Sequence, residues 1–437
     1  MLKINEDGVK YVLHQAKEND VKFIRLWFSD ILGNLKGFSI TIEELERGLS
    51  NGISFDGSSI EGFARSDERD LYAFPDPNTF SLIPWKSGTT TVARIFCDIY
   101  TPENNSFEGD PRYVLRRNLQ RATEMGYTYY VAPEMEHFYF KSNKTTEPID
   151  LEGYFDQLDN SFSGELRNET VLALEEFGIP VGSTHHEASS SQHEIDLRHT
   201  DALTMADTVM TYRLVVKEIA KKYGCHATFM PKPITGVNGN GMHIHQSLFN
   251  GDNNSFYDPK DQVYLSKIAR NFIAGLLKHA REITAVTNQW VNSYKRLVSG
   301  FEAPTHISWA LVNRADLIRV PSYRMGNNFS RRIEYRAPDP ACNPYLAFSV
   351  MLAAGLEGIE NNYDLLDSKE FELKNKDNQK LPSNLWEAIL ITENSELVHN
   401  ALGDYVFKSF IENKKIEWEL YNTKVTKYEL DRYMPIL

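Results

Sequence analysis

Between Tyr127 and Phe140 the chain reads YTYYVAPEMEHFYF, a run dominated by aromatic and β-branched residues that predicts a buried β-strand. Side chains alternate faces along a strand, so Glu134, Glu136, Phe138 and Phe140 point one way and Met135, His137 and Tyr139 the other. Ahead of it, helical spacing from Val9 to Lys17 precedes a predicted strand, Val21 to Ser29, which turns through Asp30–Asn34 into Leu35–Phe38 as a hairpin. Asp110 and Pro111 have the residue types of a helix cap and first turn, and the helix they open runs to Met125. A second helix is predicted from Leu166 to Phe177, after the polar, weakly periodic segment Lys141 to Ser163.

Proline and turn residues thicken from Pro75 to Ser106, which places a domain boundary near residue 105. Residues 1–105 then form a small α+β domain and residues 106–437 a larger one. Asp367 to Asn384 reads as a charged loop.

Two neighbouring carboxylates in an apolar strand repel each other and lose hydration, so they stay ionised only beside strong positive charge. Alone, a Glu-x-Glu pair is more often a solvated edge strand; the rest of the chain changes that balance. His185-His186-Glu187 and Gln192-His193-Glu194-Ile195-Asp196 are dense in metal-ligating groups, and oxygen donors with few imidazoles suit Mg²⁺ or Mn²⁺ better than zinc. The glycine-rich run Gly236 to Gly241 leads into a strand with His243, His245 and Ser247 on one face. Arg296, Arg314, Arg319 and the alternating Arg332, Glu334 and Arg336 supply guanidinium forks for carboxylate or phosphate oxygens. Acids, histidines and arginines together are what metal-nucleotide phosphoryl transfer requires. The chain has no GxxxxGK[ST], GxGxxG or GxSxG motif, so any nucleotide fold is of another kind.

The formal net charge of −13 argues against nucleic acid as the main partner. Its 3 cysteines, Cys97, Cys225 and Cys342, are scattered and suggest neither a disulfide framework nor a zinc ribbon. With no apolar run of about 18 residues and no hydrophobic signal core at the N-terminus, a cytoplasmic location and no membrane partner are expected.

In order along the chain stand FDGSS (Phe55–Ser59), PEME (Pro133–Glu136), HHE with QHE, NGNGMHIH (Asn238–His245), GFEAP (Gly300–Pro304) and RIEYR (Arg332–Arg336). This series resembles glutamine synthetase of the bacterial and archaeal type I along essentially the whole chain. The resemblance implies an α+β fold: an N-terminal β-grasp domain and a C-terminal α/β catalytic domain whose antiparallel sheet curves into a funnel. It also implies a homododecamer of two hexameric rings with active sites between subunits. Glutamate, ammonium and ATP would be the substrates, with at least two Mg²⁺ ions per site, or Mn²⁺ in their place.

Carried over by motif, Glu136, Glu187 and Glu194 would hold one ion, and Glu134, His243 and Glu334 the other. Asn238, Gly239, Arg296 and Arg336 would bind glutamate, while Arg314, Arg319 and Arg332 face phosphate and His245 and Ser247 lie beside ATP. Asp56 of a neighbouring subunit would deprotonate ammonium in a pocket shaped by Ser59, Tyr154 and Glu187, and Glu302 would ride a flap over the acyl phosphate. Three positions depart from the family pattern: Gly182 replaces a glutamate near the nucleotide, Ser299 a proline before the flap, and Ser189-Ser190-Ser191 an Ala-Pro-Gly type turn. Asn362-Tyr363-Asp364-Leu365 matches the adenylylation site of longer relatives only faintly, so control by glutamine or a regulatory protein is expected instead. The competing expectations are a γ-glutamyl ligase for a larger amine and a non-catalytic regulatory homologue.

Overall fold

Two sheets organise the chain, and the hairpin expected near the N-terminus begins the first. Helix α1 (Glu6–Glu18), capped by Asn5, precedes β1 (Val21–Ser29) and β2 (Leu35–Thr41). After α2 (Leu45–Asn51) come β3 (Ile53–Asp56), β4 (Asp70–Pro75), β5 (Ser81–Leu82) and β6 (Thr91–Tyr100). The strand order is β2-β1-β6-β4-β3, with β1 and β6 parallel and β5 paired to β6. Val12 and Ala16 of α1 join Ile24, Leu26, Phe28, Ile95 and Ile99 in a core separate from that of the rest of the chain. The computed structural model describes residues 5–58, 60, 62, 70–86, 90–157, 161–311, 313–322, 326, 328–366 and 380–437. Ser59 and most of the charged loop expected at Asp367 to Asn384 lie outside them.

Asp110 does cap α3 (Pro111–Glu124), its side chain accepting from the Arg112 amide, and α3 delivers the chain into β7 (Thr128–Phe140). Next come α4 (Phe162–Glu176), β8 (Val181–His186), β9 (Gln192–Leu197) and β10 (Thr200–Asp201). The helix expected from Leu166 begins at Phe162 because Ser161 caps it, accepting from the Gly164 amide. Then follow α5 (Ala202–Lys222), β11 (His226–Thr228), β12 (Met242–Asn250), β13 (Asn253–Asn254), α6 (Lys267–Thr287) and α7 (Ser293–Arg296). Short strands β14 (Trp309–Ala310), β15 (Ile318–Arg319) and β16 (Ile333–Tyr335) precede α8 (Pro344–Glu360) and a helical C-terminal region.

The second sheet has the order β14-β15-β16-β12-β7-β9-β8, and only its β14–β15 edge pairing is parallel. Helices α5, α6 and α8 supply much of its core, with Val209, Phe272, Phe348 and Leu352 fully buried. Helix α8 is apolar on most sides and buried along nearly its whole length, whereas α6 keeps Lys267, Arg270, Lys278, Arg281 and Glu282 off its buried face.

The two parts are joined by polar contacts. Asn343 donates its side-chain amide to the carbonyls of Asp30 (3.0 Å) and Ile31 (3.2 Å), and Gln289 donates to Leu32 O at 2.8 Å. Deeper in, the Arg112 guanidinium, 2% exposed, meets Asp76 (2.9 Å) and Asp98 of the first sheet's segments and Asp207 (2.9 Å) of α5. Tyr345 donates to the same Asp207 at 2.6 Å. Arg116 adds a second cation to Asp76 and Asp98. Arg112→Ala would strand these acids, and we expect a loss of roughly 3–5 kcal/mol, as for removal of one partner of a buried ion pair. Chemical denaturation of the variant against the parent checks this.

Candidate functional site

The acidic strand is the centre of the second sheet, with β12 on one side and β9 on the other. Register decides which groups meet. Glu134 lies opposite His243 on β12 and Asp196 on β9, and Glu136 lies opposite Glu194. One strand further out, His245 lies opposite Glu334, and Glu334 opposite Arg319.

Glu134, His243 and Glu334 converge: their ligand atoms all lie within 4.8 Å of one another. His243 Nδ1 is 3.1 Å from Glu134 Oε2 and 4.0 Å from Glu334 Oε1. The other Glu134 oxygen is 2.7 Å from His245 Nε2. Since Arg332 Nε donates to His245 Nδ1 at 3.1 Å, His245 presents its Nε2 proton to Glu134. Burial would raise the carboxyl pKa values of Glu134 and Glu334, but the two imidazoles hold both below the usual range. Arg319 Nε also donates to Glu334 at 2.5 Å, and Arg336 donates to its second oxygen.

The second group lacks such compensation. His185 Nε2 is 2.8 Å from Glu187 Oε1 and 3.9 Å from Glu194 Oε1, and these three atoms also fit within 4.8 Å. Glu136 shares their cavity, accepting from Gln192 Nε2 (2.8 Å) and the Gly241 amide (2.9 Å). Burial, then the charge of Glu187, pushes the Glu136 carboxyl up to about 8. Burial, then Glu136 and Glu134, drives Glu194 well above the usual range. Carboxylates crowded this way suit a hard divalent cation, which reverses the sign of the local field. Both groups fit the expected pair of ions by donor chemistry. The motif reading had Glu136 with Glu187 and Glu194; geometry adds His185, which the HHE motif contained but which nothing in its spacing singled out.

A third cluster has a different character. Asp150 accepts from His186 Nε2 (2.9 Å) and the Ser191 amide (2.8 Å) and lies 3.4 Å from His193 Nε2. Arg167 sits 2.9 Å from His193 Nδ1, and His186 Nδ1 donates to the Glu187 carbonyl at 2.7 Å. With a guanidinium beside it and its nitrogens already partnered, the cluster is a scaffold holding the loop between Glu187 and Glu194. Ser191 takes the left-handed φ of 60° that glycine favours. Its hydroxyl accepts from the Ile149 (2.7 Å) and Asp150 (3.0 Å) amides.

Two cavities flank the clusters. One, of about 280 Å³, is lined by Glu136, Glu187, Tyr154, Glu302, Arg314 and Arg336 among others. Arg314 hydrogen-bonds Tyr154, and Tyr154 stacks on Phe155 at 4.1 Å. The other, of about 420 Å³, is lined by His245, Ser247, Arg332, Phe329 and Gly182. Gly182 sits at a bulge where β8 slips against β9, so this wall carries no side chain there. Glu134, Ser183 and Asp196 line both cavities. Arg296 is 2% exposed and donates to the carbonyls of Ala337 (2.7 Å) and Arg336 (3.2 Å). Asn238 and Gly239 lie in the loop before β12, their carbonyls accepting from Ser189 (3.4 Å) and Gln192 (3.1 Å). Asp56, at the exposed end of β3, lines neither cavity.

Family sequence models agree with this geometry. "Glutamine synthetase, beta-Grasp domain" matches residues 20–102, and "Glutamine synthetase, catalytic domain" matches residues 108–433. The chain belongs to the glutamine synthetase family. It is 50% identical to the glutamine synthetase of Mycolicibacterium smegmatis, over 98% of this chain and 99% of that one. It is 47% identical to the enzyme of Thermotoga maritima, over 96% and 97%. Among solved structures, Plasmodium falciparum glutamine synthetase superposes with a TM-score of 0.88 at 25% identity, covering 99% of both chains. A GmaS complex with ADP gives 0.88 at 30% identity, over 97% of this chain and 99% of that one. The activity is that of a glutamate–ammonia ligase, which makes glutamine, and the two parts of the fold are the β-grasp and catalytic domains of such enzymes.

Glu136 and Glu194 must shed their protons to ligate a cation. Mn²⁺ added near neutral pH in weak buffer is expected to release protons, and its affinity to rise as pH approaches about 8, the level to which Glu136 is pushed. A pH-stat titration measures the release; no release, with an affinity flat across that range, would contradict the pairing.

Proposed function

We propose that the two acidic groups hold two Mg²⁺ ions, with Mn²⁺ as a substitute, and that ATP lies in the larger cavity with its γ-phosphate over Glu134. The observation that carries this reading is the shared wall: Glu134 belongs to the nucleotide-sized cavity on one side and to the acidic cavity on the other. The ADP in the GmaS complex supports a nucleotide role for a neighbour of this fold. When bound, the ions neutralise phosphate oxygens and polarise the transferred group.

The chain's own residues do the rest. Arg319, at hydrogen-bond distance from Glu334, and Arg332, fixed on His245, direct positive charge toward the phosphoryl group; Arg314 reaches it from the Tyr154 side. Arg336 and Arg296 face the glutamate substrate with Asn238 and Gly239, and the γ-carboxylate of glutamate attacks the γ-phosphate to give γ-glutamyl phosphate. Ammonia then adds to the acyl carbon and phosphate leaves. Asp56 takes the ammonium proton in a pocket formed with Tyr154 and Glu187, and Glu302 shields the acyl phosphate from water.

Asp56 is exposed at the end of β3 and lines neither cavity of its own chain, which supports its supply by a neighbouring copy. The family resemblance makes a homododecamer of two hexameric rings our reading of the assembly. A cytoplasmic location accords with three free cysteines and, among the described residues, no helix long and apolar enough to cross a membrane. Control by glutamine or by a regulatory protein remains the expected mode.

Product formation with ATP, glutamate and Mg²⁺, offering ammonium and polyamines separately, tests the acceptor; glutamine from ammonium alone is expected. Product only from the larger amine would overturn the role of Asp56. Glu302→Ala is expected to leave ATP binding intact while glutamine formed per phosphate released falls severalfold, through hydrolysis of the unshielded intermediate. An unchanged ratio would remove Glu302 from that role.

A further inference from the structure

The loop that carries Asn238 and Gly239 is a lasso tied at its neck. Asn240 N donates to Pro231 O at 2.8 Å, and the Asn240 side chain donates to Met230 O at 2.9 Å. At Gly239 a Cβ would stand 2.2 Å from the Pro231 carbonyl oxygen, so only glycine lets the two limbs approach this closely. Beside the neck, Asn292 grips Lys232 from both sides: its Oδ1 accepts from Lys232 N at 2.7 Å and its Nδ2 donates to Lys232 O at 3.0 Å. The backbone of Lys232 is thereby fixed, and its side chain has a defined direction.

That side chain is 9% exposed and crosses the lasso to donate to the Val237 carbonyl, next to Asn238. The same ammonium lies 3.5 Å from the centroid of the Phe301 ring. Among the described residues no carboxylate pairs with it. Phe301 directly precedes Glu302 and follows Gly300, whose φ of 93° is open to glycine. A carbonyl and an aromatic face are the contacts of this ammonium among the described residues, and it holds both only while loop and Glu302 segment keep their places. If the loop moves, Lys232 loses the carbonyl; if the Glu302 segment moves, it loses the ring.

We propose that Lys232 is a positioning residue that latches the amino-acid loop to the Glu302 segment, so that the flap stands over the acidic cavity only when the loop is in its substrate-holding shape. This rests on the reading of Glu302 as the flap acid. The latch makes shielding of the acyl phosphate depend on occupancy by the amino acid rather than by the nucleotide. No other contact between loop and flap through a charged side chain appears among the described residues.

The test compares Lys232→Met, Lys232→Arg and Phe301→Leu with the parent enzyme, measuring glutamine formed per ATP hydrolysed, KM for glutamate and for ATP, and the melting temperature. Lys232→Met and Phe301→Leu are expected to lower the glutamine yield per ATP and to raise the glutamate KM roughly five- to thirtyfold, the range from an exposed to a desolvated cation–π contact. The ATP KM and melting temperature should hold, and Lys232→Arg should recover most of the yield. A fully coupled Lys232→Met enzyme with an unchanged glutamate KM would overturn the latch. So would a parallel rise in the ATP KM with a lowered melting temperature, which marks a structural lysine. Glu302→Ala run beside them separates the two ideas: if it stays coupled the flap reading fails, and if it uncouples while Lys232→Met does not, the latch alone fails.

Discussion

Everything in the catalytic half depends on a repulsion that the sheet builds in. Glu136 and Glu194 are directly opposite on β7 and β9, both nearly buried, and Glu187 closes on them from the next loop. Like charges across a strand pair are destabilising, and more so with little water to screen them. The protein alone answers only half of the problem. Around Glu134 and Glu334 it supplies His243, His245, Arg319 and Arg336, whereas around Glu136, Glu187 and Glu194 cations are too few, and the Glu136 and Glu194 carboxyls hold their protons more tightly instead. That imbalance is a stored affinity for divalent cations.

The surroundings serve this arrangement. Asp150, His186, His193 and Arg167 do not join the acidic groups; they hold the short loop between Glu187 and Glu194 by its backbone and tie it to the segment leading to Tyr154. Ser191 shows how a left-handed φ is held by a residue other than glycine, since its hydroxyl takes two main-chain amides. The Arg112 cluster does comparable work at larger scale by fixing the β-grasp domain against α5, with one guanidinium shared among acids of both parts.

Lys232 belongs to the same economy of fixed charge. Where the acidic groups are short of cations, this cation is short of anions, and its contacts with Val237 and Phe301 join two separate segments by electrostatics. In the proposed mechanism both segments cover the acyl phosphate, and a link of this kind limits the entry of water.

Much of this was readable along the chain. The β7 strand, the β1–β2 hairpin and the α3 cap follow from alternation and turn chemistry, which are local properties. The proposed ligands Glu134, Glu136, Glu187, Glu194, His243 and Glu334 stand in motifs whose order survives any fold. Other features were invisible. His185 joined Glu187 and Glu194 only through strand direction, Arg296 turned out to spend donors on carbonyls of Ala337 and Arg336, and Asp150 met His186 across a polar segment with no periodicity. The pairing of Glu136 with Glu194 is a matter of register, and a slip of one residue would have turned every one of these side chains to the opposite face. The sequence by itself determined which chemical groups are present and on which local elements. Only the tertiary structure decided which of them share a cavity, because that depends on hydrogen-bond registry between strands far apart in the chain.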